Sequence, residues 1–345
     1  MPKVAVIGST TWGMTLGLVL ANKGIHVKVW ARSPEEIATV KSDGTDLPSS
    51  LSITPSIDDA VANAKAVVLV VPSQTMRQNI KLVAEHLNSS QLIISAAKGL
   101  EIETNKRMSE VIAEEIDPAL IPNICVLSGP NLSREIVANL PAATVIAAET
   151  EATARIAQRL FNTPEFCVYL NTDITGVELG GALKNVIALA AGIADGLGYG
   201  SNTKAALITR GLTEISALGV AMGANPLTLS GLAGLGDLIA TCASPLSRNH
   251  YVGVELTKGK SLEEIVKSME NVAEGISTTK VTWALAQEHG IEMPITEKVY
   301  QVLYQKLSPS EAAAGLMAAE TNHELDGRKW RLFSFIKRKK QVETT

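Results

Sequence analysis

A lysine and an asparagine stand side by side in an otherwise apolar stretch of this chain. Between Glu178 and the end of the segment 178–192, only Lys184 and Asn185 are polar. The small and aliphatic residues around them predict a helix that is buried on all its faces. An ammonium group in such a place either pairs with an anion or transfers protons with a shifted pKa. Alternatively, Lys184 lies at the helix edge and extends its methylene stem to solvent.

Three further segments carry groups suited to an anionic ligand. Lys98 follows a predicted strand, at the edge where open α/β sheets bind ligands. Asn131 follows the next strand, where free backbone amides can meet an anion. In the second half, Asp237 precedes a loop that ends with Arg248 and Asn249, and the arginine offers a planar fork to a phosphate. Taken singly, these residues are also explained as a solvated charge, helix caps and a surface ion pair.

A glycine-containing turn near the N-terminus suggests a nucleotide. Residues 8–13, GSTTWG, join a predicted strand to a predicted helix, as in dinucleotide sites where helix N-terminal amides receive a pyrophosphate. Thr10 occupies the middle glycine position of the GxGxxG pattern, and an ordinary strand-to-helix turn is the alternative. Arg32 follows the second predicted strand and suits the 2′-phosphate of NADPH, whereas an acidic residue there would suit NADH. A solvated arginine is the alternative.

The elements that must position these residues follow from the hydrophobic pattern. Short apolar runs in the first half indicate strands covered on both faces, and amphipathic segments between them indicate crossover helices. The predicted strands are residues 4–7, 27–30, 66–71, 92–95, 124–127, 144–147 and 166–170. From residue 173 onward the patterns are helical. We therefore predict a Rossmann-like doubly wound parallel sheet in a dinucleotide-binding domain (1–172), an all-helical substrate-binding domain (173–324) and a basic aromatic tail (325–345).

Composition sets the broad class. The net charge of −4 gives no general attraction to nucleic acid. Cys125, Cys167 and Cys242 lie far apart without metal or disulfide spacing, so we expect core positions, no metal site and a reducing compartment. The chain enters a strand pattern at once, which leaves no room for a signal peptide, and no uncharged apolar stretch is long enough to span a membrane. These features predict a cytoplasmic protein.

The tail has a composition of its own. In residues 328–340, seven Lys or Arg residues are interleaved with five apolar ones. This mixture favours a disordered, solubilising extension, because no long amphipathic period is evident. The alternative is weak contact with an anionic membrane surface, where aromatic side chains enter the interface and cations meet lipid head groups.

Taken together, the motifs over residues 2–324 resemble those of bacterial NAD(P)-dependent glycerol-3-phosphate dehydrogenases. They occur in the family's order, as residues 71–74 (VPSQ), 97–99 (AKG), 128–130 (SGP), 178–185 (ELGGALKN), 236–237 (GD), 244–249 (SPLSRN) and 272–275 (VAEG). The resemblance implies a homodimer that interconverts sn-glycerol 3-phosphate and dihydroxyacetone phosphate with NADPH or NADH, for phospholipid synthesis. Three residues depart from the family's pattern. Thr10 replaces the usual second glycine, Asn131 stands where a serine or threonine is common, and Ser133 stands where an alanine is common.

The resemblance also implies roles for individual residues. Lys184 is the implied proton acceptor, with Lys98 and Asp237 as further catalytic residues. The implied substrate contacts are Lys98, Gly129, Asn131, Lys184, Asn185, Asp237, Thr241, Ser247, Arg248 and Asn249. The expected cofactor contacts, with those of the glycine turn, are Gly8, Thr10, Thr11, Trp12, Gly13, Arg32, Lys98, Ser133, Arg248, Val272 and Glu274. Two alternatives are a related β-hydroxyacid dehydrogenase, with a carboxylate site in place of the Arg248 loop, and a non-catalytic NADPH-binding regulator.

Overall fold

One eight-stranded sheet forms the centre of the first half of the chain. The computed structural model describes residues 3–42, 47–269 and 271–317. The strands are β1 (Lys3–Ile7), β2 (His26–Trp30), β3 (Leu51–Thr54), β4 (Ala66–Leu69), β5 (Leu92–Ser95), β6 (Ile124–Ser128), β7 (Ala142–Ala148) and β8 (Phe166–Asn171). Their order is β3-β2-β1-β4-β5-β6-β7-β8, and every neighbouring pair is parallel except β6 and β7. The predicted Rossmann-like fold class is confirmed.

The sheet differs from the prediction in two places. β3 was not predicted, because its four residues include the exposed Ser52 and form only a short apolar run. β7 runs antiparallel to β6. The connection between them, residues 129–141, contains a helix of only five residues, which spans about 7.5 Å, whereas a five-residue strand spans about 16 Å. The chain therefore returns beside β6 without travelling back to the start of the sheet.

Helices cover both faces of the sheet. Alternate residues of β1 enter different cores: Val4 and Val6 pack with the helices at 11–22 and 151–161, while Ala5 and Ile7 pack with those at 57–61, 76–84 and 108–115. This two-sided burial explains why the strands read as continuous apolar runs. The helices of this half are α1 (Thr11–Asn22), α2 (Pro34–Ser42), α3 (Ile57–Val61), α4 (Met76–Ala84), α5 (Met108–Glu115), α6 (Ser133–Val137) and α7 (Glu151–Phe161). Short 3₁₀ turns span Ser73–Thr75 and Pro118–Asn123.

Two of the three cysteines are in the core, and one is not. Cys125 and Cys242 are buried, whereas Cys167 is exposed. The prediction was wrong for Cys167 because β8 is the edge strand of the sheet, where alternate side chains face solvent.

Every regular element of the described residues beyond 172 is helical. They are α8 (Ile174–Gly196), α9 (Ser201–Ala221), α10 (Pro226–Leu229), α11 (Asp237–Ala243), α12 (Arg248–Thr257), α13 (Leu262–Ser268), α14 (Glu274–His289), α15 (Pro294–Tyr304) and α16 (Pro309–Met317), with a π-helical turn at Leu232–Gly236. Helix α8 is the centre of this domain, and all its residues from Gly176 to Ala194 are buried. The prediction of a helix buried on all faces is confirmed.

Two helical stretches are long and apolar enough, by length and composition alone, to cross a membrane. They are Ile174–Gly196, whose apolar window is completely buried by the protein, and Pro226–Ala243, whose window is 44% buried. The first is the core helix α8 and contains the charged Glu178 and Lys184. The predicted tail, residues 325–345, lies outside the described residues.

Candidate active site

Lys184 is paired with a carboxylate inside the protein. The residue is only 6% exposed, in the middle of α8. Its ammonium group contacts Asp237 Oδ1 and donates to Thr241 Oγ1 at 2.6 Å. Asp237 begins α11 and Thr241 lies four residues later, so both side chains are on the same face of that helix. The buried ion pair explains how a lysine is accommodated in an apolar helix.

A second lysine shares the same carboxylate. Lys98 Nζ donates to Asp237 Oδ2 at 2.7 Å and to the carbonyl oxygen of Gly129 at 2.7 Å. Lys98 follows β5 and Gly129 follows β6, so the carboxyl edge of the sheet meets α8 and α11 at this point. Two ammonium groups and one carboxylate give the cluster a net positive charge when all three are ionised. Such a cluster is suited to an oxygen that acquires negative charge.

The surroundings of Lys184 bring its titration close to neutrality. Burial lowers the pKa of Lys184 to about 8, and the nearby charge of Lys98 also lowers it, while Asp237 opposes both by stabilising the ammonium form. At a pH near this value both protonation states of the lysine are populated. The group can therefore act as a proton acceptor or as a proton donor.

Two buried asparagines connect this cluster to other helices. Asn185 Nδ2 donates to the carbonyl oxygen of Lys98 at 3.0 Å. Asn249 Nδ2 donates to Asn185 Oδ1 at 2.8 Å, and Asn249 Oδ1 accepts from the backbone N–H of Gly275 at 2.9 Å. This chain of amides joins the end of β5 to α8, α12 and α14. In the structure, Asn185 and Asn249 thus hold the backbone of Lys98 in place.

The predicted phosphate loop opens a helix. Ser247 is the N-cap of α12, and its hydroxyl accepts from the backbone N–H of His250 at 3.3 Å. Arg248 is the first residue of the helix and is exposed as a residue, but burial of its guanidinium lowers its pKa, and the Glu274 carboxylate opposes that shift. A guanidinium beside a helix N-terminus provides both a charged fork and free amides for an anion.

Glu274 lies where three sequence motifs meet. Its carboxylate accepts from the backbone N–H of Ser73 at 2.8 Å and contacts the Ser73 hydroxyl. A Cβ added at Gly99 would lie 2.8 Å from Glu274 Oε2, which explains the glycine after Lys98. Burial raises the pKa of Glu274, against the hydrogen bonds of Ser73. Val272, predicted to contact the cofactor with Glu274, is 51% exposed just before α14.

The glycine turn has the geometry of a dinucleotide cradle. Gly8 has φ +116, and a Cβ at Gly13 would overlap the carbonyl oxygen of Gly8. The first amides of α1, at Thr11 and Trp12, have no carbonyl partner in the preceding turn and are free to receive a pyrophosphate. Trp12 Nε1 reaches across the sheet edge to the carbonyl oxygen of Ala96 at 3.3 Å. These residues fit a dinucleotide.

Thr10 fits the same turn without glycine. Its backbone is extended, with φ −65 and ψ 161, which any residue adopts. Its hydroxyl accepts from the backbone N–H of Gly13 at 3.1 Å and donates to the carbonyl oxygen of Val70 at 3.1 Å. Thr10 is therefore the N-cap of α1 and ties the turn to the end of β4.

Other predicted residues stand apart from the lysine cluster. Arg32 is exposed just after β2, and its Nη2 donates to Asn79 Oδ1 at 3.3 Å. Asn131 does not cap a helix: its amide donates to the carbonyl oxygen of Ala143 at 3.3 Å and accepts from Thr144 Oγ1 at 2.9 Å. Ser133 is the first residue of α6. The side chain of Asn131 is thus held against β7.

A buried carboxylate with no role in the prediction links the two domains. Glu178, six residues before Lys184, accepts from Arg107 Nη1 at 2.8 Å, from the backbone N–H of Ser109 at 2.8 Å and from Ser109 Oγ at 2.5 Å. Burial raises the pKa of Glu178, and Arg107 opposes this shift. The signal in the sequence was the second charge in the apolar segment, but nothing in its pattern pointed to Arg107.

Comparisons with known proteins agree over most of the chain. Models for the N-terminus and the C-terminus of NAD-dependent glycerol-3-phosphate dehydrogenase match residues 3–154 and 173–314. Curated relatives named glycerol-3-phosphate dehydrogenase [NAD(P)+] include one from Dehalococcoides mccartyi, 58% identical over 100% of this chain and 98% of the relative, and one from Geobacter metallireducens, 48% identical over 93% and 98%.

A solved structure extends this likeness to the fold. The crystal structure of glycerol-3-phosphate dehydrogenase from Coxiella burnetii matches with a TM-score of 0.86 and 34% identity, over 92% of this chain and 99% of that one. The two family models, the near-complete relatives and the matching fold all agree, and the chain therefore belongs to the NAD-dependent glycerol-3-phosphate dehydrogenase family.

Proposed function

We propose that this enzyme interconverts dihydroxyacetone phosphate and sn-glycerol 3-phosphate, with Lys184 as the group that gives and takes the hydroxyl proton. The buried contact of Lys184 with Asp237, at a pKa of about 8, is the observation that carries the proposal. The bound nicotinamide supplies the hydride in reduction and accepts it in oxidation. In reduction the substrate carbonyl oxygen takes a proton from the Lys184 ammonium, and in oxidation the neutral amine takes that proton back.

The partners of Lys184 have different roles. Asp237 bonds to both ammonium groups and orients them, since its two oxygens are occupied by Lys184 and Lys98. Lys98 places a second positive charge beside the oxygen that becomes negative during hydride transfer, and preorganised charges of this kind stabilise the transition state. Thr241 fixes the direction of the Lys184 ammonium through its hydroxyl.

We assign the substrate phosphate to Arg248 and the N-terminus of α12. A charged group remote from the reacting carbon supplies binding energy that holds the carbonyl against the nicotinamide. Arg248 is exposed as a residue, while burial of its guanidinium lowers its pKa, and a partly desolvated cation binds a phosphate more strongly than one in bulk water. A β-hydroxyacid dehydrogenase would need a carboxylate site here instead. Rates with dihydroxyacetone phosphate and with β-keto acids at equal concentration separate these two functions.

For the cofactor, we propose NADPH in preference to NADH, with the adenosine 2′-phosphate on Arg32 and the pyrophosphate on the amides of Thr11 and Trp12. The support is the exposed arginine just after β2, where this class of fold binds the adenosine ribose.

We also propose a cytoplasmic homodimer, as the family resemblance implies, with weak membrane contact through the tail. Light scattering of the purified chain tests the dimer.

Lys184→Ala tests the central assignment. We expect turnover of dihydroxyacetone phosphate to fall by at least about 10²–10⁴-fold, the contribution of general acid–base catalysis. NADPH binding, followed by fluorescence titration, should stay close to that of the wild type, because the lysine is outside the nucleotide cradle. The variant should remain folded, because Asp237 keeps its ion pair with Lys98. A variant that keeps near wild-type turnover would assign the proton transfer to another group.

A further inference from the structure

A glutamate lies between the glycine turn and the end of β2. Glu36, an exposed residue in the first turn of α2, accepts from the backbone N–H of Arg32 at 2.9 Å through Oε2. The same oxygen accepts from Ser9 Oγ at 3.1 Å. Ser9 belongs to the turn that follows β1, and Arg32 follows β2. The carboxylate therefore bridges the two segments between which a dinucleotide-binding fold places the adenosine ribose.

Two opposite charges, those of Arg32 and Glu36, lie where the adenosine ribose is expected to bind. In such folds a carboxylate near the end of the second strand accepts hydrogen bonds from the ribose hydroxyls of NADH, whereas an arginine there pairs with the 2′-phosphate of NADPH. Here Arg32 supplies the cation and Glu36 supplies the anion. The carboxylate comes from the first turn of α2, four residues after Arg32, and not from the end of the second strand, where the acidic residue of an NADH site usually lies.

The two side chains have separate partners. The guanidinium of Arg32 donates to the neutral amide oxygen of Asn79 at 3.3 Å, while Glu36 is held by Ser9 and the Arg32 backbone. A neutral partner leaves the positive charge of Arg32 available to a phosphate. The hydrogen bonds from Ser9 and from the Arg32 backbone hold the Glu36 carboxylate next to Arg32. A 2′-phosphate bound to Arg32 would therefore meet this negative charge.

We propose that Glu36 is a second specificity-determining residue of the adenosine 2′ site, which opposes Arg32 and keeps NADH usable. This inference rests on the proposed function, because it concerns the cofactor of that same site. The carboxylate accepts from the ribose hydroxyls of NADH and repels the 2′-phosphate of NADPH. Specificity then reflects the difference between an attractive and a repulsive element rather than one arginine alone.

The test compares Glu36→Gln with Glu35→Gln. Glutamine at 36 can still accept from Ser9 and from the Arg32 N–H, so the local fold is retained while the charge is lost. Glu35 is an exposed carboxylate in the same helical turn and serves as the matched control. Dissociation constants for NADPH and NADH are measured by fluorescence titration at two salt concentrations, together with kcat/KM for both cofactors.

We expect Glu36→Gln to shift the ratio of the two dissociation constants toward NADPH by roughly 5- to 10-fold, the size of one charge–charge interaction near the surface, and less at high salt. Glu35→Gln should change the ratio less than about twofold. An unchanged ratio in Glu36→Gln, or equal weakening of both cofactors, would overturn the proposal and leave Glu36 a structural contact of α2.

Arg32→Asp in the same series separates failure of this inference from failure of the proposed function. If the ratio of dissociation constants shifts toward NADH in Arg32→Asp but does not shift in Glu36→Gln, the 2′ site is at Arg32 and the role proposed for Glu36 is wrong. No shift in either variant moves the 2′ site elsewhere and rejects both assignments. A wild-type chain that binds neither dinucleotide contradicts the proposed function itself.

Discussion

One carboxylate, Asp237, serves two ammonium groups, and this sharing sets the chemistry of the site. Lys184 and Lys98 each take one of its oxygens, so neither lysine has the anion to itself. A full ion pair would hold Lys184 charged far above neutral pH. Instead, burial and the second cation offset the carboxylate, which leaves the pKa of Lys184 at about 8. The arrangement makes proton release and proton uptake accessible in the same pH range.

This balance predicts opposite pH dependences for the two directions. Oxidation of glycerol 3-phosphate needs the neutral amine, so its kcat should rise with pH through about 8. Reduction of dihydroxyacetone phosphate needs the ammonium form, so its kcat should fall as pH rises through the same value. Steady-state rates in both directions between pH 6 and 10 provide the measurement.

Asp237→Asn tests the origin of that pKa. Asp237 stabilises the ammonium form, so its removal should move the rising and the falling limb of the two kcat–pH profiles to lower pH by roughly one unit or more. It should also lower kcat. Glu263→Gln, which removes an exposed carboxylate of α13, should leave the limbs in place. Limbs that stay near pH 8 in Asp237→Asn would mean that another group titrates.

Arg248→Ala should weaken the recognition of the substrate phosphate. The loss of one charge-assisted hydrogen bond, about 1.5–3 kcal/mol, corresponds to roughly a tenfold or larger fall in kcat/KM for dihydroxyacetone phosphate. The effect should be mainly on KM, and Arg248→Lys should recover part of it because the charge is restored without the planar fork. Unchanged kinetics in the alanine variant would require the phosphate to bind elsewhere.

For individual residues, the sequence shows which side chains are unusual but not which partners they contact. Lys184 stands out because an ammonium is costly in an apolar helix. Its partner lies 53 residues further along the chain, and only the packing of α11 on α8 brings the two together. The effect of Thr10 on the glycine turn was likewise invisible, since it depends on a side chain that caps the helix and reaches Val70.

Among the elements, the close approach of α8 and α12 positions the loop that ends at Arg248. A Cβ at Gly192 of α8 would overlap the carbonyl oxygen of His250, and a Cβ at Gly253 of α12 would overlap that of Leu189. The two glycines therefore allow the helix backbones to touch. Because α12 begins at Arg248, the distance between these helices also fixes where the guanidinium stands relative to Lys184.

Gly192→Ala should therefore change both stability and binding. Overpacking of about 1–3 kcal/mol lowers the melting temperature by roughly 1–4 °C, because the melting entropy grows with chain length, and displacement of α12 should raise KM for dihydroxyacetone phosphate. Gly200→Ala, where a Cβ meets open space, is the matched control and should melt within about 0.5 °C of the wild type. Equal melting temperatures for the two variants would show that the helices adjust freely.

The order of elements was readable from the sequence where packing is two-sided, and less so at the margins. Strands buried on both faces, such as β4, gave unmistakable apolar runs. The four residues of β3 and the reversed direction of β7 did not, because an edge strand needs fewer apolar residues and strand direction depends on the length of the connection.

Across the whole molecule, the site exists only where the two domains meet. Lys98 reaches Asp237, Ser73 reaches Glu274, and Arg107 reaches the buried Glu178. Each contact joins the sheet domain to the helical domain, and each is an ion pair or a charge-assisted hydrogen bond. The sequence indicated both domains but not this interface, since side-chain contacts between distant segments leave no periodic signal.

The last prediction concerns the tail after Glu324, which lies outside the described residues. Its seven cations and five apolar residues in 328–340 would favour an anionic surface, with up to ~1 kcal/mol for each Lys or Arg near it. Glycerol 3-phosphate is consumed by phospholipid synthesis, so weak attachment would bring the enzyme close to its users. We expect the full chain to co-sediment with anionic vesicles more than a chain ending at Glu324 at low salt, less so at physiological salt, and neither to sediment with neutral vesicles. Equal partitioning of the two chains onto anionic vesicles would leave the tail as a solubilising extension.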